Sequence, residues 1–347
     1  MPVNHLNHLS HLHHRNRLAG IPVAAALVLG LAAPAYAGTG YTQGGSGTEQ
    51  SGSSDQGSGT IAAGVKVRTN LKAKSGASPV TPVDTNWTPP LCWTQPKFSG
   101  KEYKADSKKT ALRDPKTGKP LPGWDKGKDF HEKDKGAWWF RTYDRDQIMS
   151  GDPDTPKRME DCAGLPGIVW VPEGDPKPQK AISPEVLSGI AFKAMKLPAA
   201  PVKLSPAANR QIVNLDTKVK FEAPLDRVWV TATFDDFGVN VAATTVATPV
   251  ALKIDAGTEF ADPQSCTYDL RKDGDGYAVD SGDKGCNVTY RKSSGDGTYP
   301  LKAQITWKVT WTDSADPDGP AQQPALPDGL STFEQDVTVK EIQAINR

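Results

Sequence analysis

Between Tyr299 and Trp311 the chain alternates strictly. Tyr299, Leu301, Ala303, Ile305, Trp307, Val309 and Trp311 are apolar, and the positions between them are polar or proline. Successive strand side chains point to opposite faces, so this period of two predicts one buried face and one wet face. A helix would spread the same residues around its whole surface. Pro300 stands at the beginning, where a missing N–H is tolerated.

The same alternation recurs through the C-terminal half. It is read in Val213, Leu215, Val219 and Phe221, then in Val228, Val230, Ala232 and Phe234, then in Val239, Val241 and Ala243. Val250, Leu252 and Ile254 continue it, followed by Cys286, Val288 and Tyr290, and finally by Phe333, Val337 and Val339. Asp235-Asp236-Phe237-Gly238 and Ser294-Gly295-Asp296-Gly297 predict hairpin turns. Short strands at this spacing predict a mainly β fold, with an antiparallel β-sandwich over residues 201–347. Residues 314–331 read as a long surface loop. Ahead of the strands, Ser183-Pro184-Glu185 is a helix start: serine caps, proline takes the first position, and glutamate favours the positive end. Val186, Leu187, Ile190, Ala191 and Ala194 share one face, and Leu197-Pro198 ends the run, which predicts a connector helix within 181–200.

Residues 86–180 follow a different pattern. They hold six of the nine tryptophans, Trp87, Trp93, Trp124, Trp138, Trp139 and Trp170. From Lys97 to Lys135 the chain is densely charged and Lys-rich, and predicts a long polar loop. Gly136–Tyr143 and Gly167–Val171 predict strands. Residues 38–64 are Gly/Ser/Thr-rich and residues 65–85 similar but more basic, so 38–85 predict a flexible tether.

Residues 1–37 read as a secretory signal peptide: Arg15 and Arg17, an uncharged apolar run from Leu18 to Ala33, then Ala35-Tyr36-Ala37. The apolar run is shorter than the ~20 residues a span needs, so no membrane span is expected in the mature chain. Five of the six histidines (His5, His8, His11, His13, His14) lie in that leader, which leaves His131 alone in the mature chain. The four cysteines, Cys92, Cys162, Cys266 and Cys286, all lie in the mature part. An even count in a secreted chain predicts disulfides. Of three pairings, proximity favours Cys92–Cys162 and Cys266–Cys286, worth ~4 and ~3 kcal/mol by chain entropy.

The full chain carries 41 Lys and Arg against 40 Asp and Glu, without the basic excess of a nucleic-acid binder. Asp273-Gly274-Asp275 resembles the start of a calcium loop, but the twelfth position is Lys284 where a glutamate is required. No phosphate-cradling glycine motif occurs in strand–helix context. One mature histidine makes a Ser-His-Asp set improbable. No catalytic residue, metal or cofactor is therefore expected. Trp138 and Trp139 form the candidate ligand-stacking pair. Adjacent strand residues face opposite ways, so one is expected in the core.

Two resemblances add to this. Cys286-Asn287-Val288-Thr289-Tyr290, then Gly297-Thr298-Tyr299 leading into the alternating strand, resembles the end of a PKD (polycystic kidney disease) domain, an Ig-like sandwich. The family's W-x-F-G-D-G turn is replaced by Leu252-Lys253-Ile254-Asp255-Ala256-Gly257-Thr258. More broadly, Cys162-Ala163-Gly164, Ile168–Pro172, Gln211–Leu215, Tyr290–Ser294 and Glu341–Gln343 are similar to uncharacterised secreted actinobacterial proteins, often labelled ATP/GTP-binding protein or enoyl reductase. The residues here support neither label. The expectation is a secreted, non-enzymatic β-sandwich serving as an interaction module. Its partner would be an unknown protein or a cell-wall polymer, not nucleic acid. A carbohydrate-binding protein is the first alternative. A hydrolase with paired carboxylates is the second.

Overall fold

The computed structural model describes residues 58–62, 64–72, 76–199, 201–280 and 286–342. The leader 1–37, residues 38–57 of the expected tether, Lys284 and Gln343 lie outside them. Two strands open the described chain, β1 (Ser58–Ala62) and β2 (Val65–Thr69). A Trp-rich lobe follows, with β3 (Cys92–Phe98), α1 (Gly100–Thr110), β4 (Gly136–Tyr143), α2 (Arg145–Ile148), α3 (Thr155–Ala163) and β5 (Ile168–Pro172). Helix α4 (Pro184–Ala194) leads into the strand-rich half. There the strands are β6 (Val202–Ser205), β7 (Asp216–Phe221), β8 (Val228–Asp236), β9 (Val239–Asp255), β10 (Ser265–Asp273), β11 (Gly276–Val279), β12 (Val288–Tyr290), β13 (Tyr299–Thr312) and β14 (Gly329–Val337).

The large antiparallel sheet runs in the order β1-β2-β8-β9-β13-β14, and Thr81–Pro82 adds a last short strand beyond β14. β9 is its spine. One edge of β9 pairs with β13 along most of its length. The other edge pairs first with β8 and then, from Ala251, with β10. The change of partner comes at Pro249, beside a register shift between Pro249 and Ala251. Proline has no N–H to donate, and bulges are where a sheet accepts it. The alternation that predicted two strands here therefore belongs to one, and Val250 is exposed rather than buried. Leu215 is likewise exposed and precedes β7. The β8–β9 turn is as expected: Asp236 faces Val239 across Phe237 and Gly238, both at positive φ, as a two-residue hairpin turn demands. Ser294–Gly297 also turns, but it joins β12 to β13, which do not pair.

A four-stranded sheet holds Ala261–Asp262, β12, β7 and β6. Its buried residues Val202, Val219, Phe221, Val288 and Tyr290 share one core with Leu252, Ile254, Leu301, Ala303 and Ile305 of the large sheet. All the inward positions expected of β13 from Leu301 to Trp311 are buried. Trp307 is fully buried and donates its Nε1–H to Ser331 Oγ at 2.9 Å. Roughly 200 Å² of tryptophan taken from water contributes about 5 kcal/mol as an upper figure, and the satisfied N–H removes the cost of burial. Helix α4 lies on β8 and β9, where Thr245 Oγ1 donates to Ser188 O at 3.0 Å. Among the described residues, no helix is long and apolar enough to cross a membrane.

Two expectations need correction. Residues 65–69 are not tether: Val65 and Val67 are buried, and β2 pairs with β8 from Val230↔Thr69 to Thr233↔Lys66. Basic residues on the wet face hid a strand. The polar stretch 97–135 is not all loop, because Ser99 and Glu102 form a reciprocal capping box that starts α1.

Candidate functional site

Both cysteine pairs form as expected, Cys92–Cys162 and Cys266–Cys286. The second ties β10 of the large sheet to a position two residues ahead of β12 in the other sheet. The first ties β3 to α3, and with Leu91 and Leu165 it makes a small separate core. Arg141 on β4 reaches across to the end of α3. Its Nη1 donates to the carbonyls of Cys162, Ala163 and Leu165 at 2.9, 3.0 and 3.0 Å. Cys162 O also accepts from Leu165 N at 3.1 Å, and the guanidinium adds a cationic donor at this C-terminal helix end.

A second set of polar groups joins this lobe to α4. Asp144 is buried and caps α2 by accepting from Gln147 N at 3.1 Å. Lys193 of α4 donates to both its oxygens at 2.7 Å. Gln147 Nε2 donates to Asp144 and to Pro90 O, each at 2.9 Å. Arg158 donates to Gln147 Oε1 at 2.8 Å and to Pro89 O at 2.6 Å. The segment Trp87–Leu91 is thus clamped between α3 and α4. Gly189 lets it approach, since a Cβ there would lie 2.5 Å from Pro90 Cδ.

The clamp forms one wall of an open cleft of about 530 Å³. Trp87, Pro89 and Pro90 line one side, Ser183, Glu185 and Val186 at the start of α4 another, and Pro324–Leu326 a third. Arg158, Asp161 and Lys180 stand around it. Trp87 is half-buried and meets the Phe192 ring edge-on at 4.6 Å between centroids. An aromatic ring, apolar prolines and four charged side chains suit an amphipathic ligand. Two carboxylates, Asp161 and Glu185, share the cleft, and both are exposed. Neither has the apolar enclosure that a glycosidase's general acid uses.

The predicted stacking pair divides between two faces. Trp139 is 4% exposed and packs in the main core, so it is withdrawn as a stacking residue. Trp138 is half-buried on the other face, hydrogen-bonded to Phe130 O and ringed by Tyr103, His131 and Trp170 at 4.6–5.7 Å. His131 lies flat on Trp170 at 4.6 Å, and its Nδ1 is 2.8 Å from Asp134. Lys104 bonds Glu132 at 2.7 Å, and that bond above all raises its pKa. Outside this lobe, Trp307 is core and Trp229 is half-buried under Arg68. Asp273 and Gly276 pair at the tip of the β10–β11 hairpin, and among the described residues no group of acids, His or Cys is placed to hold a metal ion.

The cleft escaped the sequence reading because its walls come from four separated segments. The local sign was Trp87 beside Pro89 and Pro90, next to Cys92. Compared with family models, curated proteins and solved structures, the chain finds no match.

Proposed function

We propose that this protein is a secreted, non-enzymatic binding module that holds its ligand in the cleft at Trp87. Its partner is an envelope protein or a cell-wall polymer. The observation that carries the reading is the clamped wall: covalent, ionic and steric devices all fix Trp87–Leu91 against α3 and α4, and such rigidity favours binding. Two disulfides and the signal-peptide pattern support an oxidising destination. In the strand-rich half, two antiparallel sheets around one core, joined by a disulfide, support an Ig/PKD-like sandwich.

Trp87 favours a second reading, a carbohydrate-binding protein, since an indole face beside Arg158, Asp161 and Glu185 fits a sugar ring with its hydroxyls. Titration of tryptophan fluorescence with cell-wall glycan fragments tests it. A saturable change that Trp87→Ala weakens at least tenfold supports the glycan. Recovery of one envelope protein by the wild type and not by Trp87→Ala supports a protein ligand. Turnover of a glycan by the purified chain would overturn the non-enzymatic reading.

A further inference from the structure

The charge of this near-neutral chain is unevenly placed. Residues 97–135 carry twelve Lys and Arg against seven Asp and Glu, whereas the whole chain has a formal net charge of +1. Ten of those twelve cations are exposed. Among the described residues, only Lys104 and Lys135 of these have a carboxylate within ion-pair distance. The lobe's acids are mostly engaged within it. Glu132 is bonded by Lys104, Asp134 by His131, Asp114 accepts two backbone N–H groups of its own turn, and Glu102 closes the capping box. Lys101 and Lys108 stand two turns apart on α1, with Lys109 beside them. Tyr103 holds this helix on the aromatic face of β4 through Trp138 and Phe140. Lys101, Lys108 and Lys109 therefore sit on a fixed support.

Eleven of the twelve are lysine and only Arg113 is arginine. Arginine's planar fork suits paired recognition of carboxylates, phosphates and base edges in fixed geometry, whereas lysine acts on phosphate as a point charge. Exposed lysines without fork geometry suit a linear polymer whose charges need no fixed register. We propose that this lobe docks the protein onto a polyphosphodiester polymer of the cell envelope. The surface shares no residue with the cleft, so the inference goes beyond ligand binding there and supplies a place of attachment.

The test is binding of the full chain to synthetic poly(glycerol phosphate), followed by calorimetry at several salt concentrations. With about four phosphates neutralised, raising salt from ~50 to ~200 mM weakens binding about 50- to 150-fold. The variant Lys101→Gln/Lys108→Gln/Lys109→Gln loses more than tenfold. The control Lys218→Gln/Lys253→Gln/Lys272→Gln removes equal charge from exposed sites elsewhere and stays within about twofold. Trp87→Ala binds the polymer as the wild type does, so the cleft reading and this one fail separately. The proposal is overturned by any of three results: no binding at the lower salt, equal losses in the two triple variants, or tighter binding to duplex DNA or phosphatidylglycerol vesicles than to the polymer.

Discussion

Asp144→Ala removes the group on which the clamp converges. It deletes the N-cap of α2, both bonds from Lys193, and the bond from Gln147 Nε2. The cap alone is worth about 1 kcal/mol. Breaking a fully buried ion pair costs about 3–5 kcal/mol, because the remaining charge is left unpaired. Here the Lys193 side chain is 25% exposed and can recover water, so that cost falls to about 1–2 kcal/mol. The expected loss is therefore about 2–3 kcal/mol. Lys193→Met should cost at least as much, since the Asp144 side chain it abandons is only 8% exposed. The double variant should lose at least 1 kcal/mol less than the two single losses combined, because neither charge is then stranded. Urea unfolding with the disulfides intact, followed by circular dichroism and by tryptophan fluorescence, measures all three. Losses that add within about 0.5 kcal/mol would refute the reasoning, because independent sites behave that way.

Gly189→Ala tests the close approach of α4 to Pro90. Alanine in an exposed helix interior would stabilise by about 1 kcal/mol, but here its Cβ would lie 2.5 Å from Pro90 Cδ. The expected outcome is a net loss of about 1–3 kcal/mol by urea unfolding, and a gain would show that the segment yields. Tyr290 gives a pH test. Burial above all, with Tyr299 and Asp255 beside it, holds its phenol well above the ordinary tyrosine value. The unfolded chain therefore ionises first, and stability present below about pH 10 is lost as pH rises further. Between pH 8 and 11, Tyr290→Phe should lose about 1.4 kcal/mol less stability than the wild type in paired denaturation curves.

What the sequence made legible had a strong local cause. β13 was legible because one face is wet along its whole length, and α4 because Ser183 and Pro184 mark its start. The disulfides followed from proximity. α1 was missed because almost no apolar residue marks its face, although Ser99 and Glu102 carried the capping signal. β2 was missed because Val65 and Val67 are only two apolar positions, and their partner strand lies in the other half of the chain. Trp139 shows a limit of another kind. Alternation assigned it and Trp138 to opposite faces, but only packing could say which face was covered. The cleft had no continuous stretch to announce it.

The position of β2 has a consequence for how the chain is completed. It is laid down early in synthesis, yet its place lies against Val230–Thr233. β1 is at hand as its hairpin partner, but the edge that meets β8 stays open until that strand has been made, and joining such distant partners is slow. A chain shortened to begin at residue 70 would leave that flank of β8 as a bare row of amides and carbonyls, ready to recruit a neighbouring molecule. The first dozen described residues thus shield the flank of β8 and hand the sheet's edge to the five-residue strand β1.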